Sequence, residues 1–282
     1  MSGIRIAHLI NPVKITPDRD LSWQQPITFD SMCIARRFAK KEADVEPVAC
    51  FYPEDEDMVP DWFTKTEPLT ESTEGKFEIW RRLPYFKEML DRLYDASDAD
   101  YFIQTNADIG LYPHFYLLIK ELIEDGNDSF CINKRILPES IKDLPLPVIW
   151  SAVGHAHAGC DCFVFRRELY PLMNLGDICM GTPWSETTLI ANLVAHAENF
   201  KVFKNAAATF HLGDRRIWIG HDYNDYRIHN TNEFARILKV LSAKDKKILK
   251  NESIKYYLKK LKIEVKGYSE ETYSKNCWDL IK

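Results

Sequence analysis

The sequence predicts an α/β fold with a doubly wound, mostly parallel sheet, helices on both faces and a C-terminal helical extension. Two observations support this prediction. Short apolar runs alternate along the chain with segments of helical spacing, a pattern that is typical of parallel sheets. After residue 220 the strand signals stop, and two helical segments follow within 222–262. We therefore expect a sheet domain over residues 1–220 and a helical extension over residues 221–282.

The elements follow from the spacing of apolar residues. The predicted strands are short apolar runs, at 4–10, 45–52, 101–105, 129–133, 160–165 and 200–204. The predicted helices repeat apolar residues every three or four positions, at 22–43, 85–96, 114–124, 185–198 and twice within 222–262. Residues 53–75 are acidic and rich in Pro and Thr, so they predict a loop. Pro138, Pro145 and Pro147 predict a second loop over 138–158, and long loops in compact domains are usually functional.

Composition and charge narrow the function classes. The 282 residues carry 37 Lys and Arg against 42 Asp and Glu, and this net charge of −5 argues against a nucleic-acid partner. The N-terminal residues do not resemble a signal peptide, and no run is apolar and long enough to span a bilayer. We expect a cytoplasmic protein. Among the seven cysteines, Cys160 and Cys162 predict two small buried side chains on one strand face, with a zinc site as the alternative.

Polar side chains gather where the third predicted strand ends. Thr105, Asn106 and Asp108 follow the apolar run that begins at Tyr101. Ligands of open α/β sheets bind just beyond the carboxyl ends of the strands. Asp108 therefore either caps the helix predicted at residue 114 or binds a hard cation such as Mg²⁺ or Mn²⁺.

Three segments in order resemble the GT-A glycosyltransferases. They are ADYFIQTNADIGLYPHFY (99–116), GTPWSETTLIANL (181–193) and ATFHLGD (208–214). The resemblance implies a divalent cation, Mn²⁺ or Mg²⁺, bound by Asp108 and His211 beside the diphosphate of a sugar nucleotide. The chain departs from the usual Asp-x-Asp motif because Asn106 occupies the first acidic position. One carboxylate is missing, so the resemblance implies a weak metal site, or Arg and Lys in place of the metal.

The same resemblance and the positions of polar residues predict the other site residues. Glu186 is the predicted catalytic base, with Asp161 as its rival, while simple first-turn and loop-holding roles stay open for the two. Trp184 and His157 are predicted to contact the acceptor, against structural roles for both side chains. The predicted donor-binding residues are polar or basic and lie near strand or helix ends: Asn11, Arg82, Thr105, Asn106 and Arg135.

The predicted function is transfer of a sugar from a nucleotide-diphosphate sugar to a hydroxyl of a glycan or glycolipid acceptor. A carboxylate base implies direct displacement with inversion. The alternatives are a nucleotidyltransferase and a non-catalytic protein that binds nucleotide sugars. A nucleotidyltransferase would favour a glycine-rich loop after the first strand, and LINPVKITPDRD has no Gly. The basic segment 244–262 is predicted either to pack as a solvated helix or to contact the inner face of an anionic membrane.

Overall fold

The fold is that of an α/β protein with one mixed, mainly parallel sheet. A computed structural model describes residues 3–214, 220–266, 268 and 271–281. Its nine strands are β1 (Arg5–Ile10), β2 (Asp44–Ala49), β3 (Thr64–Lys65), β4 (Tyr101–Thr105), β5 (Gly110–Leu111), β6 (Ser129–Leu137), β7 (His155–Arg166), β8 (Phe200–Phe203) and β9 (Thr209–Leu212). Their order is β3-β2-β1-β4-β7-β6-β9-β5, and β8 pairs with β6 off this path. The predicted α/β class is confirmed.

Eight α-helices accompany the sheet in the described part of the chain. They are α1 (Leu21–Ala39), α2 (Phe86–Ala96), α3 (Phe115–Glu124), α4 (Leu146–Ser151), α5 (Ser185–His196), α6 (Asn224–Lys244), α7 (Glu252–Val265) and α8 (Lys275–Ile281). Apolar residues of α1 and α3, including Met32 and Phe115, share a buried cluster with Ile103 of β4. On the other face, the ring of Tyr94 in α2 lies 6.4 Å from that of Phe102. Helices therefore cover both faces of the sheet, as predicted.

The chain divides into two compact units. We call the first the sheet unit, because it contains every strand given above: Met1–Thr70, Asp91–Tyr170 and Glu198–Arg215. We call the second the helical unit: Glu71–Leu90, Pro171–Ala197 and Arg216–Lys282. The predicted helices within 222–262 are α6 and α7. The domain boundary at residue 220 stays a prediction.

Several elements differ from the sequence prediction. The predicted loop 53–75 contains a 3-10 helix at Pro53–Met58 and the strand β3. The predicted loop 138–158 contains α4, and β7 already begins at His155. Strand β7 runs antiparallel to both β4 and β6. Short strands such as β5, and short helices such as α4 and α8, carry too few residues to show a period.

A buried chain of hydrogen bonds joins β1, β4 and α3. The two ring nitrogens of His8 lie 2.9 Å from the hydroxyl of Tyr116 and 2.9 Å from Oγ1 of Thr105. His8 is completely buried, and burial lowers its pKa from 6.5 to about 3. The imidazole therefore stays neutral in the folded protein over most of the acidic range.

This burial makes the protein sensitive to mild acid. The unfolded chain binds a proton at His8 below pH 6.5, whereas the folded chain does so only near pH 3. Stability from His8 is thus complete above pH 6.5 and falls as pH drops from 6.5 towards 3, by about 1.4 kcal/mol per pH unit. Denaturant unfolding of His8→Gln at about pH 7.5 and about pH 5 should show a weaker loss on acidification than wild type, by about 2 kcal/mol. His114→Gln, at the surface, is the matched control. If His8→Gln keeps the full acid sensitivity, His8 is not its source.

Candidate functional site

The candidate site lies in the sheet unit, at the edge where β1 and β4 end. The two strands are parallel, with Leu9 opposite Gln104, so their carboxyl ends lie at the same edge. Asn106 and Asp108 follow β4 directly. Helix α3 has His114 at its N-cap position and shows no side-chain cap. Asp108 is therefore not the cap of that helix, and the capping alternative is removed.

The pairing of β5 with β9 brings Asp108 and His211 together. Gly110 lies opposite Phe210, and Leu111 lies opposite Thr209. Asp108 closely precedes β5, and His211 belongs to β9. Oδ2 of Asp108 lies 3.2 Å from Nε2 of His211. A two-residue strand thus joins the two predicted metal ligands across 103 positions of sequence.

Hydrogen bonds fix the orientation of the His211 ring. Nδ1 lies 2.7 Å from the carbonyl oxygen of Gly213, which can only accept, so Nδ1 carries a proton. Nε2 therefore faces Asp108. The amide nitrogen Nε2 of Gln24 lies 3.4 Å from that ring nitrogen and donates to the carbonyl of Leu212 at 2.9 Å. A ring nitrogen held in this way is oriented to receive either a proton or a metal ion.

In the absence of a bound cation, the contact between Asp108 and His211 favours the charged form of both side chains. Burial raises the pKa of Asp108, but the hydrogen bond and charge of His211, with a smaller effect of Lys134, outweigh burial and lower it. Burial lowers the pKa of His211, but the hydrogen bond and charge of Asp108 outweigh burial and raise it. A carboxylate and an imidazolium therefore stabilise each other, and a bound divalent cation would replace the imidazolium proton.

One carboxylate oxygen of Asp108 has no hydrogen-bond donor among the described residues. Oδ1 is buried, and within the described part of the chain no group donates a hydrogen bond to it. A buried carboxylate oxygen without a donor suits a hard cation, and imidazole is a common ligand of transition-metal ions. Among the described residues, no three His, Cys, Asp or Glu side chains gather into a metal site. The residues present fit a cation held by two protein ligands and completed by ligand oxygens.

Lys134 is a charged neighbour that the sequence interpretation missed. Its Nζ lies 3.0 Å from Oδ1 of Asp161, and the two side chains are 13% and 9% exposed. Ile132 pairs with Cys162 but Asn133 pairs with Cys160, so Asp161 is an extra residue on β7, in a bulge. Bulges re-aim side chains near active sites. The sequence analysis predicted Arg135, and not Lys134, at this edge. The predicted strand ended at residue 133, so the alternation of side chains between the two faces of β6 was not followed to residues 134 and 135.

Other predicted residues of the sheet unit are occupied by structural contacts. Thr105 is 1% exposed and bonded to His8, so its side chain points into the core. Nδ2 of Asn11 donates to the carbonyl of Cys50 at 2.8 Å. The Arg135 guanidinium donates to the carbonyls of Val153 and Gly154.

Two further residues with predicted roles, Asn106 and His157, are near neighbours in sequence of Asp108 and Asp161. Oδ1 of Asn106 accepts a 3.4 Å hydrogen bond from Nε2 of Gln104. Nδ1 of His157 accepts from the backbone N–H of Gly159 and lies 3.8 Å from Oδ2 of Asp161. His157 is thus a neighbour of the Lys134–Asp161 pair, and its contact with an acceptor stays a prediction.

Three predicted residues belong to the helical unit. Trp184 is 7% exposed, and its ring stacks on Phe234 with 4.8 Å between centroids. Its indole is therefore part of the core of this unit, which removes the reason for predicting a sugar stacked on it. Glu186 is half-buried in the first turn of α5, and Arg82 is half-buried before α2. Their predicted roles stay predictions.

Gly110 allows the backbone of β5 to pack closely against the ring of Phe210, the residue before His211. A Cβ atom at residue 110 would lie 2.6 Å from Cε2 and 2.7 Å from Cε1 of Phe210. Gly110→Ala should lower the free energy of unfolding by about 1–3 kcal/mol and displace Phe210, the neighbour of His211. The unfolding temperature should fall, and the contact between Asp108 and His211 should loosen. Gly3→Ala, which meets open space, is the control. Unchanged stability in Gly110→Ala would contradict this packing.

Comparisons with known proteins give similarities of fold only. No family model and no curated protein sequence match the chain. TarS 1–349 of S. aureus, in complex with UDP-GlcNAc, has a TM-score of 0.48 and 10% identity over 95% of this chain and 83% of that chain. Glucosyl-3-phosphoglycerate synthase of Mycobacterium tuberculosis, in complex with Mn²⁺, UDP and phosphoglyceric acid, has a TM-score of 0.47 and 13% identity over 85% and 79%. A 4-diphosphocytidyl-2C-methyl-D-erythritol synthase of Anaerococcus prevotii has a TM-score of 0.44 and 10% identity over 80% and 98%. Such similarities establish neither family nor activity.

Proposed function

We propose that the protein is a glycosyltransferase of polysaccharide biosynthesis. It transfers a sugar from a nucleotide-diphosphate sugar to a hydroxyl of a glycan or glycolipid acceptor. The sheet unit binds the donor beyond the carboxyl ends of β1 and β4, where ligands of α/β sheets bind. Asp108 and His211 hold Mn²⁺ or Mg²⁺.

The Asp108–His211 pair is the observation that supports this function most strongly. It combines a carboxylate with an unpaired buried oxygen and an imidazole whose other nitrogen is fixed by Gly213. When bound, a divalent cation neutralises charge that develops on the leaving diphosphate. Two protein ligands leave several coordination positions to other oxygens. We therefore expect metal and nucleotide diphosphate to bind cooperatively, each weakly alone.

Lys134 adds a fixed positive charge beside the same site. Its ammonium group lowers the pKa of Asp108, so its field reaches the carboxylate. The ion pair with Asp161 holds it in place. A preorganised cation stabilises the diphosphate charge in the transition state, and each such donor typically contributes about 10²–10³-fold in rate.

The acceptor hydroxyl needs a general base. Glu186 is our candidate, with Asp161 as the alternative, and either carboxylate implies a direct, inverting displacement. Asp161 already accepts a hydrogen bond from Lys134.

A thermal-shift screen tests the proposal. UDP, GDP and their sugars, each with and without Mn²⁺, should raise the unfolding temperature only when nucleotide and metal are combined. A hydrolysis and transfer assay on the same compounds separates the alternatives. Release of nucleoside diphosphate supports a glycosyltransferase, and release of pyrophosphate from a nucleoside triphosphate supports a nucleotidyltransferase. Binding without turnover supports a non-catalytic protein.

A further inference from the structure

Positive charge is concentrated in one short segment of the helical unit. Residues 244–266 contain nine lysines and three acidic residues, although the whole protein has a net charge of −5. The segment begins at the end of α6 and includes α7. A protein with a net negative charge therefore presents a local basic surface, which favours an anionic partner.

Helix α7 has a second face that the fold does not use. Ile254, Leu261 and Val265 are buried on one side, where α7 contacts α5 and α8. The opposite side is exposed, and its residues share the spacing of one helix face: Tyr256, Lys259, Lys260 and Ile263. We call these four residues the basic face. Lys262 and Lys266 are also exposed beside it.

The centre of the basic face is apolar. Ile263 is 75% exposed and Tyr256 is 49% exposed, and Nζ of Lys260 lies 4.8 Å from the centroid of the Tyr256 ring. Tyr268, just beyond the helix, is 42% exposed. Exposed apolar side chains surrounded by lysines are typical of helices that lie in the membrane interface. Aromatic rings prefer the headgroup level of such a membrane.

We propose that the basic face docks the protein on the surface of an anionic lipid bilayer. Lysines bind the anionic headgroups, while Ile263 and Tyr256 enter the boundary with the acyl chains. A nucleic-acid partner would match the lysines but would leave Ile263 without an apolar contact. A symmetric contact with a second copy would oppose lysines with lysines, which is unfavourable. Within the described residues no helix is apolar and long enough to cross a bilayer. Docking through this helix face does not depend on the proposed transferase activity.

Vesicle flotation of the full chain tests this proposal. Wild type should float with phosphatidylcholine vesicles that contain phosphatidylglycerol and stay behind with phosphatidylcholine alone. Lys259→Gln/Lys262→Gln should weaken partitioning roughly 25-fold, since each lysine near an anionic surface contributes roughly fivefold. Ile263→Ser should weaken it about tenfold or more at unchanged charge, because a buried CH₂ group contributes roughly fourfold. Lys40→Gln/Lys41→Gln, two exposed lysines of the sheet unit, is the matched control for charge.

Each other outcome would overturn the proposal. Wild type that fails to float with anionic vesicles at low salt has no such surface. If all three variants float as strongly as wild type, another part of the protein binds the membrane. Binding to single-stranded RNA that depends on Lys259 and Lys262 but not on Ile263, without flotation, identifies a nucleic-acid surface. A change in mass by light scattering for Ile263→Ser, without flotation of wild type, identifies an interface between copies. Circular dichroism confirms that each variant is folded.

Discussion

Asp108→Asn is expected to abolish Mn²⁺-dependent binding of UDP or GDP and to lower sugar transfer by at least about 100-fold. The substitution keeps the size of the side chain but removes its charge and halves its capacity to bind a cation. Because the remaining protein ligand is His211 alone, diphosphate oxygens would have to supply almost the whole coordination shell. Calorimetric titration of UDP or GDP, with and without Mn²⁺, measures the effect.

The matched control for this substitution is Asp143→Asn. Asp143 is an exposed acidic residue of the same unit. Its substitution by Asn removes one negative charge outside the site. It should bind and turn over like wild type. Asp143→Asn should unfold near the wild-type temperature, whereas Asp108→Asn should unfold at a lower one, because its pairing with His211 is lost. Equal nucleotide affinity for Asp108→Asn and wild type in Mn²⁺ would show that Asp108 binds neither the cation nor the diphosphate.

Glu186→Gln is expected to lose roughly 10²–10⁴-fold in turnover while it binds the donor normally. The amide cannot accept the proton of the attacking hydroxyl, but it keeps the shape of the first turn of α5. Initial rates of transfer, together with the dissociation constant of the nucleotide sugar, separate the two effects. Glu198→Gln, an exposed acid of the sheet unit, is the control and should retain its rate.

Asp161→Asn distinguishes the rival base. Loss of this carboxylate breaks a salt bridge between two largely buried side chains, which should destabilise the protein by roughly 3–5 kcal/mol. The double variant Asp161→Asn/Lys134→Met replaces both charged partners and should recover part of that stability. If Glu186→Gln keeps near-normal turnover while Asp161→Asn is folded but inactive, the base is not Glu186 and the role belongs to Asp161 or to the Lys134 that it positions. If both variants stay active, the inverting mechanism is wrong.

Long periodic elements were predictable from the sequence because burial imposes their spacing. Strands β1 and β4 are mostly apolar and almost entirely buried, as expected for strands covered on both faces. Helices α1, α2, α3 and α5 alternate with the strands at helical spacing. Asp108 and His211 were predicted as metal ligands because their segments resemble an ordered series of motifs, and the structure places the two side chains in contact.

Other features depend on contacts between distant segments, which one sequence does not reveal. The direction of β7 is set by its neighbours β4 and β6, and the bulge at Asp161 is set by its register with β6. Lys134 was missed because its contact with Asp161 depends on the bulge in β7, which the local sequence does not show. Trp184 suggested a sugar platform by composition alone, but Phe234, 50 positions later, covers its ring.

The β5–β9 pairing has a consequence for dynamics. Only two residue pairs, Gly110–Phe210 and Leu111–Thr209, join these strands, so local opening there requires few broken contacts. A ligand that bridges Asp108 and His211 acts as a reversible cross-link between the two strands. Hydrogen–deuterium exchange at the backbone amides of β5 and β9 should therefore slow when metal and nucleotide diphosphate bind together. The amides of β2, at a remote part of the same sheet, then serve as an internal reference for exchange that the ligand leaves unchanged.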